Sequence, residues 1–286
     1  MKIEFFTPSC GILPGSFGAA TFGLVGAEDE RAASRIGLPY DLEGEMVCGS
    51  YDECLEVIDR LPKKPWQVGI VLFGNAGGEN EFLRKLQDRL PIPFVGGGAA
   101  ICPETGKSAL LTGGGQVAIF LVYDERYTFE VLCENIHYEV LGEHEIGFSD
   151  PRRIDSIDGK EPVAWLCEEK EKLGLSPTDF EHLTFSDLKG NNAHLSLVDG
   201  TIRSGRDLRT RMLLRYVPKE EVLPRMQSFY DDKDAVVFGC AGLRGILPEK
   251  MRARGVGLFL FGEVSYADGQ SEFANLMLSK LRIQLK

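Results

Sequence analysis

The stretch AVVFGCAGLRG (residues 235–245) runs from an apolar segment into a glycine loop that carries Cys240 and Arg244. A thiol just past a strand end, at or near a helix start and close to a guanidinium, has two influences that favour its thiolate. Nucleophilic catalysis needs more: a histidine positioned to take the proton. His137, His144, His182 and His194 stand in no recognisable catalytic motif. The sequence therefore predicts no enzyme, with a thiol-dependent hydrolase or transferase as an alternative. The simplest structural reading of Cys240 is a small buried residue in a tight loop, a common place for cysteine.

Two further groups carry chemistry. Arg244 and Glu263 are charges in otherwise apolar surroundings. Such groups are rarely buried without a partner. Placed across a pocket they suit a zwitterion, the guanidinium taking a carboxylate and the carboxylate an ammonium. Paired with each other they would only close the domain. Asn275 either hydrogen-bonds a ligand or ties down a hairpin around Ala267–Gly269. Gly96, Gly97 and Gly98, followed by Ala99, let a backbone approach a ligand closely or adopt positive φ. A bulge or tight turn would explain the same glycines. The expected pocket rim is thus Gly96, Gly97, Gly98, Ala99, Cys240, Arg244, Glu263 and Asn275.

Other chemistries have less support. The stretch TGKS (105–108) is not a phosphate-binding loop, because Ile101 stands where the first glycine belongs and ALLTGGG follows in place of a helix. No Cys-x-x-Cys occurs among the seven cysteines, and the histidines lie far from Cys48 and Cys54, so no metal site is expected. No cofactor is expected either. Haem is a minority alternative that would need an axial ligand such as His137 or His144.

Composition narrows the partners. Of 286 residues, 32 are Lys or Arg and 43 are Asp or Glu, giving a net charge of −11. That argues against broad affinity for nucleic acid or an anionic membrane. The N-terminus MKIEFFTPSCG lacks a long apolar stretch and a cleavage site, and no run is long enough to span a bilayer. An odd number of cysteines without a secretory signal predicts a cytoplasmic protein with reduced thiols.

The elements that must position these residues are apolar runs at 68–74, 92–98, 116–123, 235–239 and 256–262, which read as strands buried on both faces. Residues 79–90 and 162–174 read as amphipathic helices, the second ending at Gly174. Segment 248–254 reads as a weaker helix, and PKEEVLPRM as a short helix with Pro218 near its start. Asp199–Gly200 and Asp158–Gly159 are turn signals. The C-terminal KLRIQLK alternates, predicting a strand at or near a sheet edge with one wet face. IVLFGNAGG (70–78) matches VVFGCAG (236–242), Gly74 aligning with Gly239 and Gly96 with Gly262. The expectation is an α/β (α+β) fold of two related modules, 1–149 and 150–286. Each holds a mixed, mostly buried sheet flanked by helices, and the pair arises from an internal duplication.

Two blocks carry a family resemblance: GIVLFGN with IPFVGGGAA, and VVFGCAGLRG with GVGLFLFGEVSYADGQSEFANLMLSKL. With RIDSIDGKEPVAW between them, they resemble the tandem N and C modules of the FIST family (F-box and intracellular signal transduction proteins). The most specific part is Cys240 and Arg244 followed by Glu263, Phe273 and Asn275. The resemblance implies a sensory protein that binds an amino acid or similar metabolite and signals through a separate protein partner. Some relatives bind haem and sense nitric oxide, which is the source of the haem alternative.

Overall fold

The computed structural model describes residues 2–7, 19–20, 34–74, 77–98, 116–232, 234–240, 242–243, 256–260 and 262–286. In chain order the elements are β1 (Lys2–Thr7), β2 (Ala19–Ala20), β3 (Ser34–Asp41), β4 (Gly44–Gly49), α1 (Tyr51–Arg60), β5 (Val68–Phe73), α2 (Glu79–Arg89), β6 (Phe94–Gly98), β7 (Val117–Val122), β8 (Tyr127–Asn135) and β9 (Glu139–Gly147). They continue with β10 (Arg153–Ile154), β11 (Ser156–Ile157), α3 (Pro162–Lys172), β12 (Leu183–Ser186), β13 (Asn192–Ala193), β14 (Leu195–Val198), β15 (Thr201–Ser204), β16 (Arg211–Tyr216), α4 (Lys219–Tyr230), β17 (Ala235–Cys240), β18 (Val256–Leu260), β19 (Glu263–Ala267), β20 (Gln270–Ala274) and β21 (Met277–Leu285). The fold is mixed α/β, as the apolar runs predict.

Two sheets dominate. One has the order β20-β19-β6-β5-β7-β4, the other β2-β18-β17-β21-β8. Each holds a parallel pair, β5 with β6 and β17 with β18. In each, an antiparallel strand flanks the first member of that pair, β7 beside β5 and β21 beside β17. The two sheets thus share a local pairing pattern. Strand pairing also crosses the 149/150 boundary: β8 pairs with β21, and β6 with β19.

Burial explains the continuous apolar runs. Every residue of β5 is buried because its two faces enter different cores. Ile70 and Leu72 pack with Val236, Phe238, Leu281 and Ile283 between the sheets. Val71 and Phe73 face the other way, under Cys54, Leu55 and Ile58 of α1 and Phe82, Leu83 and Leu86 of α2. Helix α4 covers Val237 and Leu278 with Val222, Met226 and Phe229. A separate core gathers Trp165 and Leu166 of α3 against Phe185, Met212 and Leu214.

Local signals act as their chemistry dictates. Ser50 and Glu53 form a reciprocal capping box at the start of α1. The Glu161 carboxylate accepts from the N–H groups of Val163 and Ala164 at the start of α3. Asp199 and Gly200 both take positive φ, +49° and +73°, as a tight two-residue hairpin turn requires.

Gly96, Gly97 and Gly98 lie inside β6, within the run 92–98 that reads as a strand, and not in a turn beyond it. The C-terminal strand stands near a sheet edge as expected, one position in from β8. Its polar face is not wet throughout: Lys280 is buried, ion-paired to Asp232 at 3.1 Å and set over the Phe229 ring. Covering by α4 turned what reads as a solvent face into a second interior. The weak helix at 248–254 lies outside the described residues.

Candidate functional site

The site forms where β17 ends, where β19 begins, and where the chain turns from β20 into β21. Cys240 closes β17 and Glu263 opens β19. Both are buried, Glu263 completely. Their side chains face each other closely enough to shift each other's proton affinity. The N–H of Met277 donates to Glu263 Oε2 at 3.3 Å. Glu263 Oε1 has no hydrogen-bond partner among the described residues.

The backbone N–H groups of Leu276 and Gly242 face Cys240 and oppose the upward shift of its thiol. Leu276 takes φ +53°, a conformation a leucine adopts only under constraint. Its carbonyl accepts from Asn192 Nδ2 at 3.3 Å, and the Asn275 N–H donates to the Asn192 carbonyl at 3.0 Å. The turn that aims two successive N–H groups at the thiol and the carboxyl is therefore fixed by the segment before β14.

Electrostatics set the protonation states. Burial, and then the neighbouring Glu263, push the Cys240 thiol well above its ordinary value. Burial likewise raises Glu263 well above the usual carboxylate range, outweighing the Met277 and Cys240 hydrogen bonds that oppose it. Both shifts favour the protonated forms, a thiol beside a carboxylic acid. The thiol-catalysis alternative needs the opposite, a depressed thiol that ionises readily. His194 stands near: an added Cβ on Gly242 would meet its Cδ2 at 2.9 Å. Burial lowers its pKa, so it too favours the neutral form.

Gly96 and Gly97 are explained by strand spacing. A Cβ on Gly96, at φ +132°, would stand 2.0 Å from the Val71 carbonyl oxygen. One on Gly97 would stand 2.1 Å from the Gly262 carbonyl oxygen. The glycines let β6 fit between β5 and β19, which brings Glu263 into register with Gly97. Gly98 continues the contact, its N–H donating to the Gly262 carbonyl at 2.9 Å.

Of the residues singled out from sequence, Gly97, Cys240, Glu263 and Asn275 thus gather around one centre. Asn275 acts mainly as a tie: its Oδ1 accepts from the His194 N–H at 3.4 Å. Arg244 and Ala99 lie outside the described residues. His194, Leu276, Gly242 and Met277 complete the centre without having been singled out. Leu276 and Met277 adjoin Asn275, so the motif pointed at their turn, but a backbone N–H leaves no sequence signature.

The histidines named for haem are engaged elsewhere. His137 is fully buried, with Nε2 2.7 Å from the Glu181 carbonyl and Nδ1 3.1 Å from Asn192 Nδ2. His144 Nδ1 lies 2.8 Å from Asp158, and its ring packs edge-on against Trp165. Among the described residues no cluster of three His, Cys, Asp or Glu side chains is arranged to hold a metal. Also among them, no helix is long and apolar enough to cross a membrane.

No protein-family model matches the chain, and no curated protein is significantly similar to it.

Proposed function

We propose that the chain is a cytoplasmic sensory protein without intrinsic catalysis, which binds an amino acid or similar small metabolite at the Cys240–Glu263 centre and signals through a separate partner. One observation carries the reading: a completely buried carboxyl with one oxygen unpartnered among the described residues. A buried polar atom left without a hydrogen bond costs about 1–3 kcal/mol. Native proteins keep few such atoms, and functional sites are where they are kept. An acceptor of this kind suits a ligand that brings a donor, such as an ammonium or amide. The resemblance to FIST modules points to the same ligand class.

The test is a thermal-shift screen with single amino acids and related amines on wild type, Glu263→Gln and Cys240→Ala. The reading expects a ligand that raises the wild-type midpoint and loses most of its effect in Glu263→Gln. A screen in which no compound stabilises the wild type, or in which Glu263→Gln responds as strongly as wild type, would overturn it.

A further inference from the structure

A second concave site lies on the far side of the β19–β20 hairpin. It is a cleft of about 710 Å³ between α2, β20 and the segments around Lys189 and Arg209, within the size range of small-ligand sites. Its floor is rigid. Asn80 and Gln87 reach from α2 to the backbone of the hairpin, Asn80 Oδ1 accepting from the Phe273 N–H at 2.7 Å and Gln87 Oε1 from the Ser271 N–H at 2.8 Å.

The charges lining it are unevenly satisfied. Lys189 is neutralised by Glu272 at 2.6 Å, and Glu81 by Lys85 at 2.7 Å. Arg84 and Arg209 line the same cleft. Among the described residues neither has a carboxylate within ion-pair distance, although Arg84 remains within electrostatic reach of Glu81. In a chain of net charge −11, this cleft holds two exposed guanidinium groups that have no ion pair among the described residues. Guanidinium forks bind carboxylate and phosphate oxygens in paired hydrogen bonds, which a surface lysine does not reproduce. Asp88 also lines the cleft without a cation partner among the described residues, so a ligand with a hydroxyl or amine beside its acid groups meets an acceptor there.

We propose that this cleft binds a small dianion, a dicarboxylate or a phosphate monoester, held by Arg84 from α2 and Arg209 from the segment before β16. The site is separate from the Cys240–Glu263 centre and does not depend on the function assigned to it.

Isothermal titration with succinate, inorganic phosphate and O-phosphoserine tests it, with sodium chloride at matched ionic strength as the control. The expected result is saturable binding of at least one dianion, weakened about tenfold or more in the Arg84→Gln/Arg209→Gln variant and unchanged in Arg60→Gln. Binding of succinate alone identifies a dicarboxylate site; binding of phosphate or phosphoserine identifies a phosphate site. Arg84 and Arg209 are exposed, so the double variant is expected to keep the wild-type unfolding midpoint; if it does not, Arg209→Gln alone carries the comparison. No saturable binding, heat reproduced by chloride, or equal affinity in the variant overturns the proposal.

Discussion

Gly97 and Gly262 meet backbone to backbone across β6 and β19, so close that a Cβ on Gly97 would stand 2.1 Å from the Gly262 carbonyl oxygen. Glu263 follows directly and sits opposite Gly97 in the register. The contact joins a strand from the first half of the chain to one from the second, and it fixes the depth at which the carboxyl is buried. A methyl group at residue 97 must push the two strands apart, because the atom it meets is backbone and has no rotamer to relax. Gly97→Ala is expected to cost roughly 3 kcal/mol, at the upper end of overpacking. Urea unfolding of the variant measures this, and a loss under about 0.5 kcal/mol would show that the strands are not in this contact.

Glu263 makes stability depend on pH in an unusual direction. Its folded pKa is raised by burial, so between the unfolded value near 4.5 and the folded value the folded chain binds the extra proton. The stability is fully present below the unfolded pKa and falls as pH rises toward the folded one, by at most about 1.4 kcal/mol per pH unit. Glu263→Gln keeps the shape and removes the proton. The variant is expected to lose this decline, so that its stability relative to wild type grows from pH 5 to pH 8. Denaturant midpoints at the two ends of that range check it; a difference that stays constant means that Glu263 is ionised in the fold. Cys240 faces the carboxyl, and burial followed by Glu263 pushes its thiol up, toward the protonated form.

Much of this arrangement was legible in the sequence because it follows from local periodicity. The runs at β5, β7 and β17 are apolar at every position, which only burial on both faces explains, and α2 shows its stripe at Phe82, Leu83 and Leu86. What was hidden depends on long-range pairing. Gly96 and Gly262, aligned as equivalents in two repeats, lie beside each other in one sheet, Gly96 within β6 and Gly262 just before its partner β19, where Val264 pairs with Gly96. Lys280 sits at a position that alternation marks as wet, and only the arrival of α4 and Asp232 makes it interior. Glu263 and Asn275 stood out by residue type, whereas His194 reaches the centre from a segment about eighty residues away, with no spacing to announce it.

His137 provides an acid-side test of the buried network. Burial drives its pKa down from 6.5 to about 4, with His182 and Arg215 adding to the shift and the Glu181 carbonyl and Asp179 opposing it. The folded chain therefore refuses a proton that the unfolded chain accepts. The corresponding stability is fully present above pH 6.5 and is lost as pH falls toward 4, about 3 kcal/mol in all. In an NMR titration the His137 ring resonances are expected to stay unprotonated through pH 5. A midpoint near 6.5 would place the ring in solvent instead of between Glu181 and Asn192.

The amides of Asn80 and Gln87 explain how an edge strand stays closed. β20 ends its sheet, and an unpaired edge presents free N–H and C=O groups to other chains. Seven residues apart on α2, the two side chains meet alternate residues of β20: Asn80 takes the Phe273 N–H at 2.7 Å, Gln87 the Ser271 N–H at 2.8 Å. Gln87 Nε2 also donates to the Gly269 carbonyl at 2.9 Å. The helix thereby stands in for a missing neighbour strand. Replacing either residue with alanine leaves a partly buried N–H without its acceptor, at a cost of about 1–2 kcal/mol each. Hydrogen exchange separates the two: Asn80→Ala is expected to speed exchange at Phe273 and leave Ser271 protected, and Gln87→Ala the reverse. Equal acceleration at both amides in either variant would mean that the hairpin opens as a unit and that the side chains do not act as separate clamps.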